Sequence, residues 1–289
     1  MSFLINQLLR FGCIVVGIIM MAGLPNLLPS DGSFTLNWSG YIASIKEVFQ
    51  GLLNIQEITY STGGATRALL PQLSGIVSYS LIILIGALLL ALVTAGFFTF
   101  VTMLIQEKWR GKVKVFTFIL ESIPDLLIIL ICQLAIVWLY KQTGLLFFEV
   151  ASLPGEPIYL LPMVCLSILP MIQYYKVMVS ITEIELEKQY VDLAKSKGVY
   201  PTMILIYHVL RNALGSLLNY SKTVIWFMLS NLLILEYIFN INGIMSFLLE
   251  YLEPTVFALS LLAIFIPIFL FFALGQWLLE RFTNEKVVM

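Results

Sequence analysis

The sequence predicts an all-α, polytopic membrane protein with about six transmembrane helices, and three observations predict it. The chain of 289 residues is 60% apolar and only 11% charged, against about 25% charged in a typical globular protein. Its apolar residues gather in six runs suited to crossing the hydrocarbon core of a bilayer, which takes about 20 residues of helix because no water is there to satisfy the backbone. Its lysines and arginines fall unevenly among the segments that join those runs.

The first span is read as Phe11 to Leu28, which carries no charge, and the second as Ser74 to Met103 inside the uncharged stretch 68–106. Two shorter ones follow, Pro124 to Tyr140 and Ile158 to Tyr175, and the last two are Thr223 to Phe239 and Val256 to Leu279. Asp125 and Glu236 sit at or inside the ends of the third and fifth. An ionised group at a helix centre costs about 2.5–3.5 kcal/mol on insertion scales, so both are functional suspects, and an interfacial depth lowers that cost. Glu121 is placed at the inner surface.

Orientation follows from the preference of cationic loops for the cytoplasm. With the N-terminus inside, thirteen of the sixteen Lys and Arg residues lie on inner segments, among them Lys108, Arg110, Lys112, Lys114, Lys188, Lys195 and Lys197. Only Lys46, Arg67 and Lys141 lie outside. An even number of spans returns the C-terminus to the cytoplasm. A cleaved signal peptide over residues 1–25 is the alternative; its site at Met21-Ala22-Gly23 is poor, and cleavage leaves five spans.

Several classes are excluded. A net charge of −1 argues against nucleic acid, and the cluster Lys108 to Lys114 is explained as an orienting signal. Cys13, Cys132 and Cys165 fall in apolar runs without close spacing and read as small hydrophobes, and one histidine, His208, builds no zinc site. No catalytic residues and no metal ligands are assigned. Gly63-Gly64-Ala-Thr lacks the lysine of a phosphate-binding loop, so this chain is expected to bind no cofactor and to take its energy from a partner or an ion gradient. A self-sufficient secondary transporter or channel is the rival class; it predicts internal repeats and paired carboxylates at mid-membrane, and neither is visible.

Two connecting segments are too long to be plain links. The outer one, about 29–70, places Ile42, Ile45, Phe49 and Leu52 at spacings of three and four, which predicts a short amphipathic helix on the outer face. The inner one, 176–222, holds Ile181 to Gly198, which reads as one polar helix. Thr182 is its N-cap, acidic residues fill its first turns, Lys195 and Lys197 its last, and Gly198 its left-handed stop. Pro201 then opens a second helix, Met203 to Leu214. Such a hairpin serves either as a lever docked in a soluble partner or as a solvated loop with ordinary caps; local physics leaves both open.

The run Tyr190-Val-Asp192-Leu-Ala194-Lys-Ser-Lys197-Gly198, followed by His208 and Arg211-Asn212-Ala213, resembles the EAA loop of binding-protein-dependent ABC importer permeases of the oligopeptide/dipeptide/nickel branch. Asp192 stands for the usual Arg, and Gly215-Ser216 for Leu-Pro. Ser122-Ile-Pro-Asp125 is similar to the family's opening of the third span. Arg67-Ala-Leu-Leu-Pro-Gln-Leu resembles the approach to the second, and the outer amphipathic segment matches the first of the branch's two permease types. Glu236-Tyr-Ile-Phe239-Asn-Ile-Asn242-Gly243 resembles a motif at the outer end of the fifth span, with Asn242 in place of Pro, and Glu253-Pro-Thr-Val256 one before the sixth.

The resemblance implies one transmembrane permease domain over 1–289 with the type I ABC importer fold, in a bacterial cytoplasmic membrane. It implies as partners a second homologous permease, two cytoplasmic ATPases that hold ATP and Mg, and an extracytoplasmic binding protein, besides membrane lipid. Glu183, Glu187, Tyr190, Asp192, Ala194, Lys197, Gly198, His208, Arg211 and Asn212 would couple to the ATPase. Gly198 would permit the turn, and Arg211 would pair with carboxylates of the loop or its partner. Glu236, Phe239, Gly243 and Asp125 would belong to the outer mouth or the pathway. His208 is read as a packing or hydrogen-bonding residue rather than a ligand. Peptide, metal chelate and other cargo are not distinguished by the sequence, and heterodimeric pairing with a sibling permease is the family pattern.

Overall fold

The computed structural model describes residues 2–28, 36–62, 64–153 and 155–283. Eleven α-helices dominate the described residues. Six apolar helical stretches are long enough to span a membrane: Gln7–Leu27, Leu69–Leu104, Asp125–Thr143, Leu160–Leu186, Gly215–Ile238 and Pro254–Leu278. All six expected spans are therefore present, several of them longer than the sequence reading gave. The described residues divide into two compact units.

The first unit holds residues 1–81 and 242–274. Helix α1 (Ser2–Gly23) carries the first span, and α2 (Trp38–Leu53) is the expected outer amphipathic helix, its start capped by the Asn37 side chain, which accepts from the Gly40 amide at 2.9 Å. Val48 of α2 packs in a cluster with Ile18 and Ala22 of α1 and with Ala258 and Leu262 of α11 (Pro254–Thr283). Of the four apolar residues that predicted this helix, two pack against the protein. Ile45 and Leu52 turn inward with Val48, whereas Ile42 and Phe49 are exposed, because the stripe that fits α1 and α11 is 41, 44, 45, 48 and 52. At Gly51 an added Cβ would stand 2.5 Å from Thr255 Cγ2, so glycine leaves the room that the threonine methyl fills.

A small antiparallel hairpin, β1 (Thr59–Thr62) with β2 (Ala65–Ala68), is an unexpected element in an otherwise helical fold. It turns at Gly64 with φ +84°. The Tyr60 ring packs edge-on against Tyr251 and Phe247, the latter in α10 (Ile244–Glu250), and the Thr62 and Tyr251 hydroxyls share a 2.8 Å hydrogen bond. Strands of four residues were too short to show period-two patterning in the sequence.

The second unit holds residues 82–241 and 275–289. It takes most of α3 (Leu69–Leu104), then α4 (Glu107–Glu121), α5 (Asp125–Thr143), α6 (Leu160–Leu186), α7 (Gln189–Ser196), a single turn α8 (Pro201–Met203), a π-helical stretch Ile204–Val209, and α9 (Leu210–Ile238). Helices α6 and α9 form its central pair. Leu232, Leu235 and Met228 are fully buried, and the buried Tyr174 donates its hydroxyl proton to Ser221 Oγ at 2.6 Å. The Thr102 and Tyr175 hydroxyls meet at 2.9 Å, so α3 is tied to α6 in the same way. Polar side chains inside a bilayer bond across helices because nothing else is there to satisfy them. Helix α6 has 27 residues, about 40 Å at 1.5 Å per residue, and so outruns a hydrocarbon core of about 30 Å.

That length overturns one reading of the sequence. Thr182 caps nothing; it lies buried within α6, which continues unbroken to Leu186. The expected single helix from Ile181 to Gly198 is two helices with a break at Glu187 and Lys188. Likewise the second helix expected to stop at Leu214 merges with the fifth span, so the helical chain runs from Pro201 to Ile238 through the π-helical stretch. Acidic residues near the junction mimicked the start of a helix while the span above supplied the nucleus.

Candidate functional site

Beyond the bundle, α7 and the turns around it form a small packed body. Val191 and Ala194 of α7 are buried against Ile204 and Val209, with Leu186, Tyr190 and Val199 at the margin. The turn that makes this possible lies at Gly198, whose φ of +79° is left-handed. Its amide donates to the Lys195 carbonyl at 2.9 Å, and the Val199 amide to the Ala194 carbonyl at 3.1 Å, which closes the C-terminus of α7. Pro201 follows at the first helical position, where its missing N–H costs nothing.

The break between α6 and α7 is fastened by Glu185. This carboxylate is 7% exposed. It accepts from the Tyr190 hydroxyl at 2.8 Å and pairs with the Lys188 ammonium at 2.5 Å. One buried acid at the end of α6 therefore holds Lys188 within the break and Tyr190 beyond it. Sequence reasoning left Glu185 out of the site, because its i, i+5 link to Tyr190 fits no helical spacing and exists only if the chain bends between them.

The residues expected to couple to a partner divide by environment. Glu183 faces α4, where Lys114 meets its carboxylate at 2.7 Å, and Glu121 of α4 pairs with Lys176 of α6. Glu183 is thus part of an internal brace. Glu187, Asp192 and Lys197 are exposed, Asp192 within 3.3 Å of Lys195. Tyr190 and Ala194 belong to the hairpin's own packing. His208 lies in the π-helical stretch and Arg211 and Asn212 in the first turn of α9, but their side chains lie outside the described residues, and with them the expected pairing of Arg211. Beside the exposed charges of Glu187, Asp192 and Lys197 the hairpin also presents large apolar residues outward. Leu193, Tyr200, Met203, Ile206 and Tyr207 are all large and exposed, Tyr200 at 75%.

Helix α4, which the sequence showed only as a basic cluster, braces this end of the unit. The Arg110 guanidinium donates to the carbonyls of Met103 and Ile105 at 2.8 and 3.1 Å, satisfying acceptors left over where α3 ends. Lys112 sits 4.2 Å from the centre of the Trp109 ring.

Of the residues expected at the outer mouth or pathway, Glu236, Phe239 and Asp125 belong to the second unit and Gly243 to the first. Glu236, in the last turn of α9, is wholly buried, and so is Phe239 just beyond it. The Ile241 amide donates to the Glu236 carbonyl at 2.8 Å, and Asn240, at φ +52°, donates its amide to the Ser152 carbonyl at 3.1 Å. Asp125 opens α5, where it accepts from the Leu126 amide at 2.9 Å, and it lines a small cavity with Ile129, Cys165, Pro170 and Asn231. In the first unit Gly243 has an extended backbone and precedes α10. Among the described residues no group of three or more His, Cys, Asp or Glu side chains is placed to hold a metal.

Six apolar spans and hydroxyl bridges between helices define the class: a multi-pass membrane protein. Comparison with known families is more specific. Residues 100–284 match the family described as the binding-protein-dependent transport system inner membrane component. The chain belongs to that family, and its fold is the type I ABC importer transmembrane-domain fold. No curated protein matches the chain.

Proposed function

We propose that this chain is the permease subunit of an ATP-driven importer, forming half of a translocation pathway for peptides or a related small solute handed over by a binding protein. The observation that carries the reading is the hairpin of α7 and Ile204–Val209, packed on its own core and fastened at Glu185, with large apolar side chains exposed on it. A solvated link has no reason to expose Leu193, Met203, Ile206 and Tyr207, whereas an interface core is built from such residues. The family match supports the same reading, since residues 100–284 include the whole hairpin.

In this mechanism a cytoplasmic ATPase grips α7 and moves it as a rigid body. Because α6 runs from the span to Leu186, where Glu185 fastens it across the break to α7, and the helical chain from Pro201 runs back into α9, movement of α7 reaches both membrane helices. Lys114 with Glu183 and Lys176 with Glu121 pass part of that movement to α4. The second half of the pathway comes from a homologous permease. The N- and C-termini and the hairpin face the cytoplasm, a placement that the distribution of Lys and Arg supports. ATP and Mg are held by the ATPases and none by this chain.

Detergent extraction of the tagged chain from its native membrane tests this. Two ATPase subunits are expected to co-purify, and the variants Leu193→Asp and Tyr207→Asp are expected to lose them while inserting normally. An ATPase-free complex, or retention of the ATPases by both variants, overturns the coupling role.

A further inference from the structure

Cys132 of α5 and Cys165 of α6 lie far apart in sequence, yet the fold brings them onto facing sides of neighbouring helices, near enough for each thiol to act on the other. The contact follows from the helix faces. Ile128 and Ile129 of α5 line the same cavity as Cys165 and Leu166 of α6, and Cys132 stands one turn further along that face. Cys165 is 4% exposed and Cys132 half-buried, whereas Cys13 is exposed on α1. Neither thiol of the pair takes part in the hairpin, the ion pairs or the hydroxyl bridges, so the proposed function leaves this contact without a use.

We propose that Cys132 and Cys165 are a redox staple, a dithiol that closes to a disulfide and pins α5 to α6. In the closing step the two thiols give up two protons and two electrons and one S–S bond forms. A lipid-soluble two-electron acceptor of the quinone class takes up both electrons and both protons and becomes the hydroquinone. The setting selects the oxidant: spans exclude polar thiol reagents, while a small apolar acceptor reaches them from the bilayer. Opening needs a dithiol reductant.

The sequence supplies its own assay. Trypsin cuts after Lys114, Lys141 and Lys176, which puts the two cysteines on separate peptides, 115–141 and 142–176. Native membranes holding the full chain are oxidised with the membrane-permeant azo compound diamide, blocked with N-ethylmaleimide and digested. The expected product is the two peptides joined, lighter by two hydrogens than their sum and separated by dithiothreitol, with Cys13 still alkylated. Cys132→Ser and Cys165→Ser each abolish it. The oxidised protein in detergent also unfolds at a higher temperature than the reduced one, and either variant removes the shift. Both cysteines recovered alkylated after oxidation, or Cys13 joined to either, overturns the pairing. A joined product without the thermal shift overturns the pinning. These readouts involve no transport, so their failure is separate from failure of the importer reading.

Discussion

Gly198 shows how much of the hairpin depends on one backbone angle. At φ +79° an L side chain is strained even though nothing lies within 4 Å of an added Cβ, so the obstacle is conformational and costs about 1–2 kcal/mol. Valine is worse than alanine there because branching narrows the choice further, and asparagine is the side chain that best tolerates the left-handed region. Gly198→Val is expected to abolish delivery of cargo across the membrane with insertion intact, and Gly198→Asn to keep most of it. Equal behaviour of the two variants counts against the lever. Glu185 is the other decisive residue. Tyr190→Phe deletes one hydrogen bond to a buried carboxylate, worth about 1.5–3 kcal/mol, and Glu185→Ala removes the acceptor shared by Tyr190 and Lys188. Proteolysis at the Glu187 to Gln189 break, slow in the parent, is expected to quicken in both, and more in the second. The glycine was legible in the sequence from its place after a polar helix. The glutamate was not, since its partners meet only across a bend.

Single helices were legible to the extent that one property fixed them. Length and apolarity located the spans, but they do not say where a helix stops once it leaves the lipid, and α6 continues to Leu186 where a new helix was expected. For α2 the three-and-four spacing identified a helix, but which of its apolar residues pack inward is decided only by contact with α1 and α11. Gly51 records that selection. Gly51→Ala drives a methyl to 2.5 Å from Thr255 Cγ2, an overpacking worth about 1–3 kcal/mol. The double variant Gly51→Ala with Thr255→Ser removes the opposing methyl and is expected to recover most of the lost thermal stability in detergent. A double variant no better than the single one would mean that the close approach is not what glycine serves. Helix α4 was missed altogether: its cations announced only a side of the membrane, while Arg110 also closes the end of α3.

For the whole molecule the sequence by itself determined the solvent, the number of crossings and the expected sidedness, because these depend on composition and on the order of apolar and cationic segments, which any fold of the chain must respect. Cysteine scanning checks the sidedness: Ser196→Cys is expected to label only from the cytoplasm and Gln50→Cys only from outside, and the reverse pattern overturns the orientation. It also carried the family, through motifs spread in order along residues 100–284. Tertiary structure alone decided which groups meet: Glu185 with Tyr190, Tyr174 with Ser221, Cys132 with Cys165. Each pairing joins positions that no sequence period relates, and in a bilayer a polar or sulfur-bearing side chain takes as partner whatever the neighbouring helix brings to its depth.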